Sequence, residues 1–234
     1  MEEPRYAIYF VPAADSALYR FGSTFLGYDC YAGNDLGWPE DAGLDARAWA
    51  ELTREPRRYG FHATLKAPFR LRSGSGEEDL TTELSRFAAL PRTPGVIEPV
   101  IRPLGRFIAV VPVVANAAVD RLAGDCVAAF DRFRQPLASA ERLRRLDAGL
   151  SPRQIANLDQ WGYPYVFDEF QFHLTLTGPL DLGRYAQIAA LLQARFEQEE
   201  ARSPVPITRL ALVRQDAPSS WFHVVRQVEL TILR

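Results

Sequence analysis

Histidine is scarce in this chain. His62, His173 and His223 are all it has, against 26 arginines and a single lysine, Lys66. Two of the three histidines sit in one repeated motif. Phe61-His-Ala-Thr-Leu-Lys-Ala-Pro68 aligns with Phe172-His-Leu-Thr-Leu-Thr-Gly-Pro179, with five of eight positions identical and 111 residues between the copies. An imidazole can take or give a proton near neutral pH, so a neutral and a protonated histidine together form a minimal acid–base pair. A threonine two positions later can donate its hydroxyl to a phosphoryl oxygen and steady developing charge. His62, Thr64, His173 and Thr175 are therefore the candidate catalytic residues for phosphoryl chemistry that needs no metal or other cofactor.

For these side chains to cooperate, each motif has to be a strand. Alternation then puts His62, Thr64 and Lys66 on one face of the first copy, opposite Phe61, Ala63, Leu65 and Ala67. The second copy presents His173, Thr175 and Thr177 opposite Phe172, Leu174, Leu176 and Gly178. Lys66 is expected to add a cationic contact to substrate, and Thr177 the matching contact from the other copy.

The surrounding chain supplies elements that can carry such strands. Arg5–Val11 is apolar on both faces, as in a buried central strand. Asp15 or Ser16 can cap a helix with Leu18, Phe21 and Phe25 on one face. Residues 28–57 are rich in Gly, Asp and Pro and read as a long surface excursion with a short helix near 45–54. Strands are predicted at 60–71 and 96–103, flanking a helix at 77–90. The second half repeats the order. It has a strand at 107–114 and a helix capped by Asn116 running to Phe133. Short helices near 138–148 and 152–161 follow, the latter with Ser151-Pro152 at its start and Gly162 at its end. Then come a strand at 168–178, a helix capped by Asp181, and strands near 205–215 and 220–233.

The repeated order and the repeated motif predict a single α+β domain of two duplicated lobes, about 1–104 and 105–234. Antiparallel sheets would lie around a central cleft with helices outside. Two His-x-Thr strands in such a frame resemble the 2H phosphoesterase superfamily, which includes 2′,3′-cyclic phosphodiesterases and RNA 2′,5′-ligase-like proteins. Tyr59–Phe69 and Phe170–Gly178, with Tyr6–Phe10 and Arg20–Ser23, look most like a bacterial branch linked to phosphonate metabolism. The resemblance spans essentially the whole chain. It implies hydrolysis of a small cyclic or nucleotide-like phosphodiester, such as opening of a ribosyl 1,2-cyclic phosphate. Gln171 departs from the basic residue expected before the second Phe-His. A non-catalytic module that binds a nucleotide or RNA end, and an RNA 2′,5′-ligase-like phosphodiesterase, are the alternatives.

Other residues carry weaker signals. Tyr163, Tyr165 and Trp38 could stack on a base or sugar, and Tyr163 is retained as a substrate contact. Arg57, Arg58, Arg70 and Arg72 read as a solvated fringe, and His223, which lacks the threonine, as a structural residue. Asp168 and Glu169 could orient His173, although Glu169 lies four residues away. The formal net charge of −2 argues against a large nucleic acid as partner and leaves a small phosphorylated substrate. Cys30 and Cys126 form no CxxC pair, no apolar run is long enough to span a membrane, and Glu3 stands where a leader would be basic. These features point to a cytoplasmic protein without a membrane partner.

Overall fold

The computed structural model describes residues 3–38 and 44–233. Residues 39–43 of the predicted excursion lie outside the described residues. Strand β1 (Arg5–Phe10) is the apolar run foreseen from sequence, with every residue after Arg5 buried. It is paired on both edges. Ser16 caps α1 (Ala17–Leu26), accepting the Tyr19 amide, and Gly27 ends it in the left-handed region. The excursion is not irregular throughout. It holds a short hairpin, β2 (Tyr28–Asp29) with β3 (Asn34–Asp35), and then α2 (Ala46–Arg57).

The first motif enters β4 (Ala63–Arg70), and α3 (Glu77–Ala88) follows. The next predicted strand divides into β5 (Gly95–Ile97) and β6 (Pro99–Leu104). After β7 (Phe107–Pro112), the Asn116 side chain caps α4 (Ala117–Phe130). Helices α5 (Ser139–Leu146) and α6 (Pro152–Trp161) follow, the second between a Ser151 capping box and a left-handed Gly162. The strand predicted at 168–178 shrinks to β8 (Leu174–Thr175), preceded by a short 3-10 turn at Phe167–Glu169. The chain ends with α7 (Leu182–Gln198), β9 (Val205–Ile207), β10 (Arg209–Gln215) and β11 (His223–Glu229).

The class is α+β, and the main sheet is antiparallel throughout, in the order β11-β10-β1-β4-β8-β7-β6. Two expectations change here. The sheets predicted on either side of a cleft are one sheet, joined where β4 meets β8 through the single pair Ala63 and Leu174. The halves of the sequence also exchange strands. Segment β6 pairs with β7, while the C-terminal β10 and β11 lie beside β1.

The apolar sides of both motifs are sunk into the core. Phe61 and Phe172 are buried, and the Phe172 ring lies 5.9 Å from Phe10. Phe61 fits only because residue 22 is glycine; a Cβ there would fall 2.2 Å from the ring. These two phenylalanines are the anchors that turn each following histidine to the opposite face.

Candidate active site

In an antiparallel pair, the residues flanking a matched pair are themselves opposite each other, with Cβ atoms about 4.5–5.5 Å apart. The Ala63–Leu174 match therefore sets His62 opposite Thr175 and Thr64 opposite His173. Ala63 and Leu174 point into the core, so all four candidate residues share the other face. The two motifs run head to tail about a local twofold axis through that pair. They meet edge to edge within one sheet, not across a gap between two.

The same local device orients both imidazoles. His62 Nδ1 lies 2.9 Å from the Gly60 carbonyl oxygen, and His173 Nδ1 lies 2.7 Å from that of Gln171. A carbonyl can only accept, so Nδ1 carries the hydrogen and Nε2 holds the lone pair of each neutral ring. His62 Nε2 is 3.0 Å from Thr64 Oγ1, which donates to it. The Tyr9 ring stacks on His62 at 3.7 Å between centroids, and Phe107 lies 5.9 Å from His173. Burial disfavours the imidazolium and pushes His62 down to about 4, with the His173 charge adding to the effect. Burial lowers His173 as well, opposed by its bond to the Gln171 carbonyl. The effect of His173 on His62 places the two rings within electrostatic reach of each other.

Lys66 and Thr177 are corrections. Bulges in β4 bring Thr64 opposite Tyr9 but Lys66 opposite the neighbouring Ile8, so the extra residue Leu65 breaks the alternation. Lys66 thereby leaves the histidine face. Its ammonium is buried and donates to Asp131 Oδ1 at 2.6 Å, so burial, which lowers its pKa, is partly offset by that carboxylate. Thr177 lies beyond the two-residue β8. Its hydroxyl accepts the Ile108 amide at 3.0 Å and donates to the Gly178 carbonyl at 2.9 Å, which occupies it within the backbone.

Tyr163 lines a cavity shared with Thr64, His173 and Tyr165. Trp38 is instead stacked on Arg57, whose guanidinium lies 4.6 Å from that ring and 4.7 Å from Trp221. Asp168 pairs with Arg153, and Glu169 accepts from Gln154, so neither orients His173. Arg58 and Arg72 donate to backbone carbonyls, and Arg70 approaches Glu141. His223 opens β11 opposite Arg214, apart from the histidine pair.

Sequence reasoning missed two supports of His62. Gly60 takes a φ of 74°, and a Cβ on it would lie 2.6 Å from the Cys30 Cβ. The glycine before Phe61-His62 was a readable signal for a special backbone conformation. Tyr9 left no such signal, since an aromatic residue is ordinary in a central strand.

Fold and site together describe an α+β protein with two backbone-anchored histidines placed diagonally across one strand pair of a sheet. The chain belongs to the family described as "Protein of unknown function (DUF1045)", whose model matches residues 64–223. Two curated relatives are both named ribose 1,5-bisphosphate phosphokinase PhnN. The one from Janthinobacterium sp. (strain Marseille) is 37% identical over 224 residues, covering 93% of this chain and 49% of the relative. The one from Laribacter hongkongensis (strain HLHK9) is 33% identical over 230 residues, covering 97% and 52%. The chain thus spans about half the length of the curated relatives it matches. Among solved structures, E. coli LigT complexed with 3′-AMP is 14% identical with a TM-score of 0.40, covering 98% of this chain and 99% of that one. A conserved protein of unknown function from Agrobacterium tumefaciens str. C58 is 12% identical with a TM-score of 0.46, covering 99% and 87%. Among the described residues, no helix is long and apolar enough to cross a membrane.

Proposed function

We propose that this chain hydrolyses a small cyclic or nucleotide-like phosphodiester of ribose, using His62 and His173 as a metal-independent acid–base pair. The observation that carries this reading is the shared anchor. Each Nδ1 is tied to the carbonyl two residues upstream, which makes Nε2 the proton-transfer atom of each ring, that of His62 accepting the Thr64 hydroxyl until substrate replaces it. With one proton across the pair, the neutral imidazole takes a proton from water as its oxygen bonds to phosphorus. The ring P–O bond breaks, and the imidazolium gives its proton to the departing sugar oxygen. Thr175 donates to a non-bridging oxygen, and Thr64 does the same once substrate displaces its hydroxyl from His62 Nε2, so the two hold the phosphorus between the rings. The repeated anchor also supports descent of the two motifs from one duplicated unit.

The name shared by the relatives supports a ribose phosphate as the chemical neighbourhood, and the sequence resemblance supports a place in phosphonate breakdown. Kinase chemistry is not proposed for this chain. It has no Gly-x4-Gly-Lys-Ser/Thr loop to cradle nucleotide phosphates, and its only lysine is spent on Asp131. The test is hydrolysis of 2′,3′-cyclic nucleotides and a ribosyl 1,2-cyclic phosphate with EDTA present. His62→Ala and His173→Ala should each lose about 10²–10⁴-fold in kcat. Full activity in either variant, or activity that requires added metal, refutes the proposal. Binding of a nucleotide monophosphate with no turnover of any diester would select a binding module instead.

A further inference from the structure

A cavity of about 370 Å³ begins at His173 and Thr64 and extends past the groups that the acid–base chemistry uses. Its walls are mostly apolar, with the aromatic rings of Phe107, Tyr163, Tyr165, Phe167 and Phe170 set among aliphatic side chains such as Leu104 and Val127, and it opens onto His173 and Thr64. No arginine or lysine lines it, whereas a carboxylate, Glu169, does. A second phosphate would need cationic donors and would be repelled by that carboxylate. A flat ring with hydrogen-bond donors on its edge fits both the walls and the charge.

The acceptor is already in place. Glu169 Oε2 accepts from Gln154 Nε2 at 2.8 Å, while Oε1 takes no hydrogen bond from any described residue. Gln154 cannot swing freely, because its Oε1 accepts the Ser151 amide at 3.0 Å in the capping box of α6. The segment bearing Glu169 is equally constrained. Phe167 holds a φ of 54°, rare for an aromatic residue, with its ring edge-on to Trp161 at 5.2 Å and packed over Gly124.

We infer that this cavity holds the base of the substrate, and that Glu169, steadied by Gln154, selects a ring edge with two adjacent N–H donors. Guanine has that edge, at N1 and the exocyclic amine, and it matches a carboxylate in two parallel hydrogen bonds. Adenine and cytosine each place an acceptor beside their amine, and uracil flanks its one donor with acceptors, so each sets a lone pair against the carboxylate. This inference rests on the phosphodiesterase reading and narrows its substrate to a guanosine-type cyclic phosphate.

The test compares kcat/KM for 2′,3′-cyclic GMP, 2′,3′-cyclic AMP and a base-free ribosyl 1,2-cyclic phosphate. In parallel, calorimetry measures binding of guanosine, which has no phosphate. The wild type should prefer the guanine substrate. Glu169→Gln, whose amide pairs a donor with an acceptor as adenine does, should reduce the guanine-to-adenine ratio by about 10-fold or more. Tyr165→Ala, at an exposed ring, should weaken guanosine binding as a second check. Equal rates across bases, faster turnover of the base-free diester, or an unchanged ratio in folded Glu169→Gln overturns the inference while leaving the phosphodiesterase reading intact. Guanosine binding that is lost in Glu169→Gln, with no diester hydrolysed, supports the base site and refutes the reaction.

Discussion

Gly60→Ala should disable His62 without touching it. Two costs follow from the structure. A non-glycine residue at a φ of 74° costs about 1–2 kcal/mol in backbone strain. The new Cβ would also lie 2.6 Å from Cys30 Cβ and 3.0 Å from its sulfur, inside a packed region, an overpacking cost of about 1–3 kcal/mol. Together these are about 2–5 kcal/mol, which lowers Tm by roughly 4–20 °C for a chain of this size. Relief of the clash moves the Gly60 carbonyl that holds His62 Nδ1 at 2.9 Å. A displacement of about 1 Å should cost about 10²-fold in kcat. Gly74→Ala is the matched control. Gly74 also has a positive φ, 83°, but nothing lies within 4 Å of its Cβ position and it lines no part of the cavity at His173. It should pay the backbone strain alone and keep full kcat. Thermal denaturation and steady-state hydrolysis of a cyclic diester measure both variants. If folded Gly60→Ala retains the kcat of Gly74→Ala, the carbonyl anchor does not hold the histidine and the reasoning fails.

Three further outcomes are expected. Burial lowers both imidazoles, His62 to about 4, so the form with one proton across the pair is most populated below pH 6.5. A profile of kcat/KM against pH should peak between about 4 and 6.5, and a maximum above pH 7 contradicts the assignment. Lys66→Met removes one partner of Asp131 but leaves Arg134 at 2.8 Å, so it should destabilise by about 1–3 kcal/mol with kcat/KM within about twofold of wild type. A tenfold loss in the folded variant would put Lys66 back in the site. Tyr9→Phe keeps the ring on His62 and deletes a buried hydroxyl that has no partner among the described residues, so Tm should hold or rise. A clear fall in Tm would mean that the hydroxyl is satisfied in the folded protein.

Much of the frame was legible because it depends on neighbours in sequence. Ser16, Asn116 and Ser151 cap the helices where their side chains can reach the next free amides, and Gly162 ends its helix by adopting a conformation other residues avoid. Asp181 shows the limit of that rule. It precedes α7 as expected, yet its side chain makes no cap hydrogen bond. The length of the second motif strand was not legible. Leu174 and Thr175 alone find partners in the ladder, and the residues before them turn away to build the cavity wall.

The sequence by itself determined the chemistry available: two His-x-Thr motifs, each with a phenylalanine to bury, and a chain otherwise poor in histidine and lysine. Residue type and alternation over a few positions are local properties, so they could be read without a structure. Which side chains meet was decided only in three dimensions. Bulges opposite β1 sent Lys66 to Asp131, and the Ile108 amide claimed Thr177. One antiparallel pair between strands 111 residues apart set each histidine opposite the other motif's threonine. A bulge or a long-range pairing depends on the partner strand, and a single strand's sequence does not contain its partner.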